Sequence, residues 1–228
     1  MNIVITGANR GIGLGLVKHF INGENYIIAC TRQINNSHEL CEIRDNNLNK
    51  IKVMTFDLTK DVSINAFCKH INLSSIDILI NNAGILENTS KEFESLDIPS
   101  IMKSFEVNTL GPIKLTKLLL KQLLNSKNGK IVHITSKMGS IEDNLSGGYY
   151  GYRISKTALN MFCKSFSIDY PNLTSVVLHP GWVKTDMGGS NATTTIDESV
   201  LGITNFIFKM DGNSSGKFFD FRGNKIPW

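Results

Sequence analysis

The chain has 228 residues, 41% of them hydrophobic and 19% charged, which places it within the range of one large α/β domain or two small ones. Its 24 basic and 20 acidic residues leave a net charge of +4, spread without a run of like charges. That argues against a nucleic-acid arm and suits solubility or the attraction of a polyphosphate.

Met1 leads directly into Asn2–Thr6, which reads as a strand and leaves no room for a secretory signal. No uninterrupted apolar stretch reaches the roughly 18 residues that would span a bilayer. Cys30, Cys41, Cys68 and Cys163 show neither CxxC spacing nor clustering with the five histidines, so neither a zinc site nor a disulfide framework is expected. These features together predict a soluble cytoplasmic protein with no metal.

In chain order, predicted strands at Asn2–Thr6, Tyr26–Thr31, Lys52–Phe56, Ile76–Asn81, Lys130–Thr135, Ser175–His179 and Lys217–Asp220 alternate with helical patterns. The helices are predicted at Ile12–Asn22, Ser37–Asn46, Asp61–Ile71, Ser100–Leu124, Tyr150–Asp169 and Asp197–Lys209. Seven strands suffice for a doubly wound Rossmann fold, an α/β sheet that is mostly parallel with helices on both faces. No linker or repeat divides the chain, so residues 1–228 are read as one domain. Two segments break the rhythm, 139–148 and the polar 188–195. Both follow the carboxyl ends of strands, where such sheets bind ligands, and the second is expected to be a mobile lid.

Thr6-Gly7-Ala8-Asn9-Arg10-Gly11-Ile12-Gly13 leaves the first strand and opens the first helix with G-x3-G-x-G spacing. Glycines allow a tight turn and close backbone approach to a pyrophosphate, and a helix N-terminus offers unpaired N–H groups with partial positive charge. At the end of the second strand an NAD site places an acid for the ribose hydroxyls. Here the chain reads Ala29-Cys30-Thr31-Arg32. Thr31, Arg32 and Arg10 suit a 2′-phosphate instead, which points to NADP(H). Asp57-Leu58 and Asn81-Asn82-Ala83-Gly84, after the third and fourth strands, are placed to wall an adenine and its ribose.

Tyr152 and Lys156 lie four apart on one helix and share a face. An ammonium beside a phenol favours phenolate, and bringing its pKa from about 10 to near 7 needs roughly 4 kcal/mol, with the nicotinamide's own charge assisting. Tyr149 and Tyr150 have no lysine at that spacing. Ser136, ending the fifth strand, offers a hydroxyl beside Tyr152, though taken singly such a serine is more often a turn residue or cap. Asn108 precedes Pro112 by four residues, so its carbonyl loses its helical donor; the outcome is either a relay water or a simple kink. Pro180-Gly181-Trp182-Val183-Lys184-Thr185 follows the sixth strand, where the Val183 backbone and Thr185 hydroxyl suit a carboxamide or phosphate. His179 is read as structural.

Taken together, these motifs resemble the short-chain dehydrogenase/reductase family along the whole chain. The stretches Ser136–Ile141 and Gly147–Arg153 and the ending Asp220–Trp228 look like the branch of small carbonyl reductases that includes the sniffer and C-factor proteins. The resemblance implies a catalytic tetrad of Asn108, Ser136, Tyr152 and Lys156. In it Tyr152 is the proton donor, Ser136 orients the carbonyl, Lys156 binds the nicotinamide ribose, and Asn108 holds a relay water. Tyr152 and Lys156 thus join Gly7, Asn9, Arg10, Gly11, Ile12, Gly13, Thr31, Arg32, Asp57, Leu58, Asn82, Ala83, Gly84, Pro180, Gly181, Val183 and Thr185 as expected NADP(H) contacts. Tyr152 follows Ser136 by sixteen positions, a little more than is usual in the family and a longer loop that the sniffer-like branch shares. The implied activity is reduction of a small-molecule carbonyl by a homodimer or homotetramer, with neither nucleic acid nor membrane as partner. The alternatives are oxidation of an alcohol, or a dinucleotide-binding signalling protein with little turnover.

Overall fold

The computed structural model describes residues 1–35, 37–87 and 92–228, and of Cys68 the backbone alone. In chain order the elements are β1 (Asn2–Thr6), α1 (Gly11–Ile21), β2 (Tyr26–Thr31), α2 (His38–Asp45), β3 (Ile51–Thr55), α3 (Asp61–His70) and β4 (Ile78–Asn81). They continue with α4 (Ile98–Phe105), α5 (Gly111–Leu124), β5 (Lys130–Ile134), α6 (Tyr150–Asp169), β6 (Thr174–His179), α7 (Ile196–Lys209) and β7 (Phe218–Asp220). The strands form a seven-stranded sheet in the order β3-β2-β1-β4-β5-β6-β7, and all six pairings are parallel.

A parallel sheet of this kind is covered on both faces, which is why its strands read as nearly continuous apolar runs. Ile3 and Ile5 of β1 face one way, against Leu16, Val17 and Phe20 of α1, Leu40 of α2, and Ile203 and Ile207 of α7. Val4, between them, faces the other way, toward Ile64 and Phe67 of α3 and Leu115, Leu119 and Leu123 of α5. The three leucines of α5 are spaced at one helical turn and are wholly buried; each contributes about 1.5–3 kcal/mol of apolar burial.

One predicted helix is corrected. The periodic stretch Ser100–Leu124 is not one regular α-helix, because a π-helical turn, Glu106–Leu110, separates α4 from α5. There the Gly111 N–H reaches back five residues to the Glu106 carbonyl. Pro112 has no N–H to offer the next turn, and the wider π turn absorbs the missing rung.

The segment 188–195, expected to be a mobile lid, is tied back to residues 182–185. Trp182 Nε1 donates to the Gly188 carbonyl at 2.8 Å. Gly189 N donates to Thr185 O, Thr194 N to Trp182 O and Lys184 N to Thr194 O, each at 2.9 Å. Thr195 then caps α7 through a capping box with Glu198. At the far edge, residues 224–226 fold back on β7, with Ile226 N donating to Phe218 O at 2.9 Å and an antiparallel bridge between Phe219 and Lys225. Among the described residues no helix is long and apolar enough to cross a membrane.

Two histidines are held in this core. His133 in β5 is fully buried, with Asn81 Nδ2 3.1 Å from its Nδ1. Burial, helped by the Lys156 charge, brings His133 down to about 3, and burial brings His179 down to about 4. Between those values and the ordinary 6.5 the unfolded chain takes up protons that the folded chain refuses, so stability is full above that range and is lost as pH falls through it. Urea unfolding at pH 7 and pH 5 is expected to show a loss of about 2 kcal/mol for each histidine, and His133→Gln should remove its share of the difference.

Candidate active site

The helices after β1 and β4 leave to opposite faces of the sheet, and a cleft opens at the carboxyl ends of these adjacent strands. Thr6 and Asn82 lock the two ends together. Thr6 Oγ1 accepts from the Asn82 and Ala83 amides, both at 3.0 Å. Asn82 Nδ2 donates to the carbonyls of Thr6 at 2.9 Å and Gly7 at 3.3 Å. Asn81 turns the other way, into the core beside Thr116 and His133.

Gly7 and Gly11 have φ of +65° and +54°, a region that favours glycine. A Cβ on Gly13 would stand 2.1 Å from the Gly7 carbonyl oxygen, and one on Gly7 would stand 3.0 Å from Ala83 Cα. The turn is therefore packed backbone on backbone. The first turn of α1 carries no acid and its N-cap, Arg10, gives no side-chain cap, so the helix end presents its amides to an anion.

A cavity of about 620 Å³ runs along this edge. Among the expected contacts it is lined by Gly7, Asn9, Arg10, Gly11 and Ile12 of the glycine turn, Thr31 and Arg32 after β2, and Asp57 and Leu58 after β3. Asn82, Ala83 and Gly84 line it after β4, Tyr152 and Lys156 from α6, and Pro180 and Thr185 after β6. Gly13, Gly181 and Val183 do not line it; Gly13 packs behind the turn, and Val183 bridges to Thr194. The Thr31 hydroxyl is bonded to the Gln33 backbone, and Arg10 is paired with Asp186. Asp57 Oδ1 closes a turn on Thr59, accepting from its amide at 2.9 Å and its hydroxyl at 2.8 Å. Burial raises the Asp57 carboxyl, but these bonds and the charges of Lys60 and Arg32 outweigh it and hold it below its ordinary value.

Tyr152 and Lys156 line the cavity, whereas Ser136 does not line it and stands beside Tyr152. The Ser136 hydroxyl lies close enough to the buried Tyr152 phenol to pull its proton affinity down, and the Lys156 Nζ stands 5.7 Å from the centre of the Tyr152 ring. That ammonium donates to the Ile134 carbonyl at 2.9 Å. Burial pushes Tyr152 up to about 12, against the downward pull of Ser136, and brings Lys156 down to about 8. The chain's own groups thus do not bring the phenol toward 7. Burial outweighs the pull of Ser136, and the Lys156 ammonium is turned to a carbonyl.

Asn108 lies in the π turn, fully buried. Its Oδ1 accepts from Ile85 N at 2.8 Å, and its Nδ2 donates to Ile85 O at 2.9 Å and Ser155 Oγ at 3.0 Å. Ser155 Oγ in turn donates to the Tyr152 carbonyl. A Cβ on Gly84 would come 3.1 Å from Asn108 Oδ1 and 3.4 Å from Lys156 Nζ, so glycine keeps clear the space between these groups.

The first 195 residues match the model of the short chain dehydrogenase family. The chain belongs to this family. Within this short-chain dehydrogenase group it is similar to the C-signal protein of Myxococcus xanthus, 39% identical over 165 residues, which cover 72% of this chain and 99% of that one. Among solved structures it is similar to carbonyl reductase Sniffer of D. melanogaster, with a TM-score of 0.95 and 33% identity over 100% of this chain and 99% of that one. It is also similar to an NADPH-bound carbonyl reductase from chicken fatty liver, with a TM-score of 0.92 and 31% identity over 100% and 98% of the two chains. The chain is thus an oxidoreductase of the sniffer and C-factor branch.

Several lining residues of this dehydrogenase site were not singled out from sequence, among them Gln33, Thr59, Lys184 and Asp186. Each directly follows or neighbours a strand-end motif, the only local signal it carries. Asp186 finds Arg10 across 176 residues of chain, a pairing with no local signature. The packing of the glycine turn is open to test. Gly13→Ala is expected to cost about 2–3 kcal/mol in urea unfolding, while Gly212→Ala, whose Cβ meets nothing within 4 Å among the described residues, stays near wild type.

Proposed function

We propose that the protein is an NADPH-dependent carbonyl reductase that converts an aldehyde, ketone or quinone to its alcohol. The observation that carries this reading is that Tyr152 and Lys156, with Ser136 beside Tyr152, share one cleft with a glycine turn at a helix N-terminus. The turn fits a pyrophosphate, since Gly7 and Gly11 leave it bare of side chains and α1 offers uncapped amides. Arg32 is exposed on the cavity wall, a guanidinium suited to a 2′-phosphate. The NADPH-bound chicken reductase supports the same cofactor.

When bound, NADPH supplies the hydride for the carbonyl carbon. Tyr152 Oη gives its proton to the carbonyl oxygen as general acid. Ser136 Oγ accepts the Met138 amide at 3.1 Å, which leaves its O–H free to hold that oxygen and, after transfer, the phenolate. Lys156 Nζ lowers the cost of the phenolate and serves a ribose hydroxyl. The Asn108 amide is spent on Ile85 and Ser155, so its share in the proton relay falls to its main-chain carbonyl. The family resemblance supports one domain acting as a cytoplasmic homodimer or homotetramer, and α6 leaves Ile154, Met161 and Ile168 exposed for such a contact.

The test is NADPH oxidation followed at 340 nm against a panel of aldehydes, ketones and quinones, repeated with NADH and with Tyr152→Phe. Turnover that prefers NADPH and falls by roughly a hundredfold or more in the variant is the expected result. Cofactor binding without turnover on any carbonyl would favour the signalling reading that the C-signal likeness suggests. The pH profile is a separate check. Because burial holds Lys156 at about 8 while Tyr152 stays protonated to about 12, kcat/KM for reduction should decline above pH 8 as the ammonium is lost. A profile level to pH 10 would remove the Lys156 charge from the step.

A further inference from the structure

The loop between β5 and α6 carries an unusual conformation next to Tyr152. Gly147, Gly148 and Tyr149 have successive φ of +62°, +64° and +52°, a region L-residues rarely adopt. Tyr149 has a side chain and still adopts it, so the surroundings must hold the turn in place.

Arg153 does so. Its Nε donates to the carbonyls of Gly147 at 3.2 Å and Gly148 at 3.1 Å. Nη1 donates to Met138 O at 3.3 Å and Nη2 to Ser146 Oγ at 2.9 Å. None of these partners is a carboxylate. The guanidinium is used as a planar fork against backbone, a geometry that an ammonium cannot reproduce.

These bonds run from Arg153 to both reacting residues. Arg153 holds Met138 O, Met138 N donates to Ser136 Oγ at 3.1 Å, Ser136 is the group that pulls on the Tyr152 phenol, and Tyr152 is the chain neighbour of Arg153. Arg153 itself does not line the main cavity. We propose that Arg153 is a positioning residue, which fastens the loop 138–148 to the first turn of α6 and so keeps Ser136 in register with Tyr152. The proposal rests on the reductase reading above.

The experiment compares Arg153→Ala and Arg153→Lys with wild type by steady-state kinetics and by amide hydrogen exchange. With fastening lost, kcat should fall roughly tenfold to a hundredfold, with the KM for NADPH little changed and faster exchange confined to residues 138–148. Arg153→Lys, which keeps the charge and loses the fork, should resemble alanine. A kcat within twofold of wild type in both variants, while Tyr152→Phe is inactive, overturns the positioning role and leaves the reductase reading intact. Failure of both variants to fold assigns Arg153 to stability and overturns it too. Absence of turnover in wild type overturns the reductase reading itself.

Discussion

Thr6 and Asn82 bind the ends of β1 and β4 side by side, while the helices that follow these strands depart to opposite faces of the sheet. The cleft is the space left by that departure. A single hydroxyl takes two backbone amides there, and a single side-chain amide covers two carbonyls. Removing either partner would strand partly buried backbone groups at a cost of about 1 kcal/mol each. Gly13, pressed against the Gly7 carbonyl, tolerates no shift of this joint. The helix end that faces the anion position is therefore fixed by the same contacts that fix the sheet.

Burial sets the electrostatics at the other end of the cleft. It makes the Tyr152 phenolate costly and the Lys156 ammonium costly too, the first moved up and the second down. Two groups that are each expensive to charge alone are cheaper to charge together in a dry setting. Ser136 pulls the phenol back down in part, and Asn108 braces α6 from the π turn through Ser155. His133, neutral in the same core, adds no charge that would compete with the lysine.

Much of this was legible in the sequence because the fold is periodic and its turns are chemically marked. The seven strands and most helices follow from apolar runs bounded by turn residues, to within a residue or two. The glycine turn and the Tyr152–Lys156 pair follow from spacing, and Ser136 from the family resemblance alone. What sequence could not reveal depends on pairings across long separations or on solvation. The Arg10–Asp186 contact and the Thr6–Asn82 joint are of the first kind. The position of the Tyr152 phenol is of the second, since the presence of a lysine four residues on says nothing about where its ammonium points. The π turn lies between these: Pro112 announces a missing donor, and only the packing of Asn108 against Ile85 decides how the helix absorbs it.

The return of residues 224–226 along β7 has a bearing on behaviour at high concentration. β7 is three residues long and would expose a bare strand edge, the kind of surface on which sheets of separate molecules join end to end. The backfolded segment occupies part of that edge from within the chain, with the Phe219–Lys225 bridge and the Ile226 amide taking bonds an intruding strand would need. Growth of the sheet into a fibre is thereby discouraged on this side by a few residues that take no part in the chemistry.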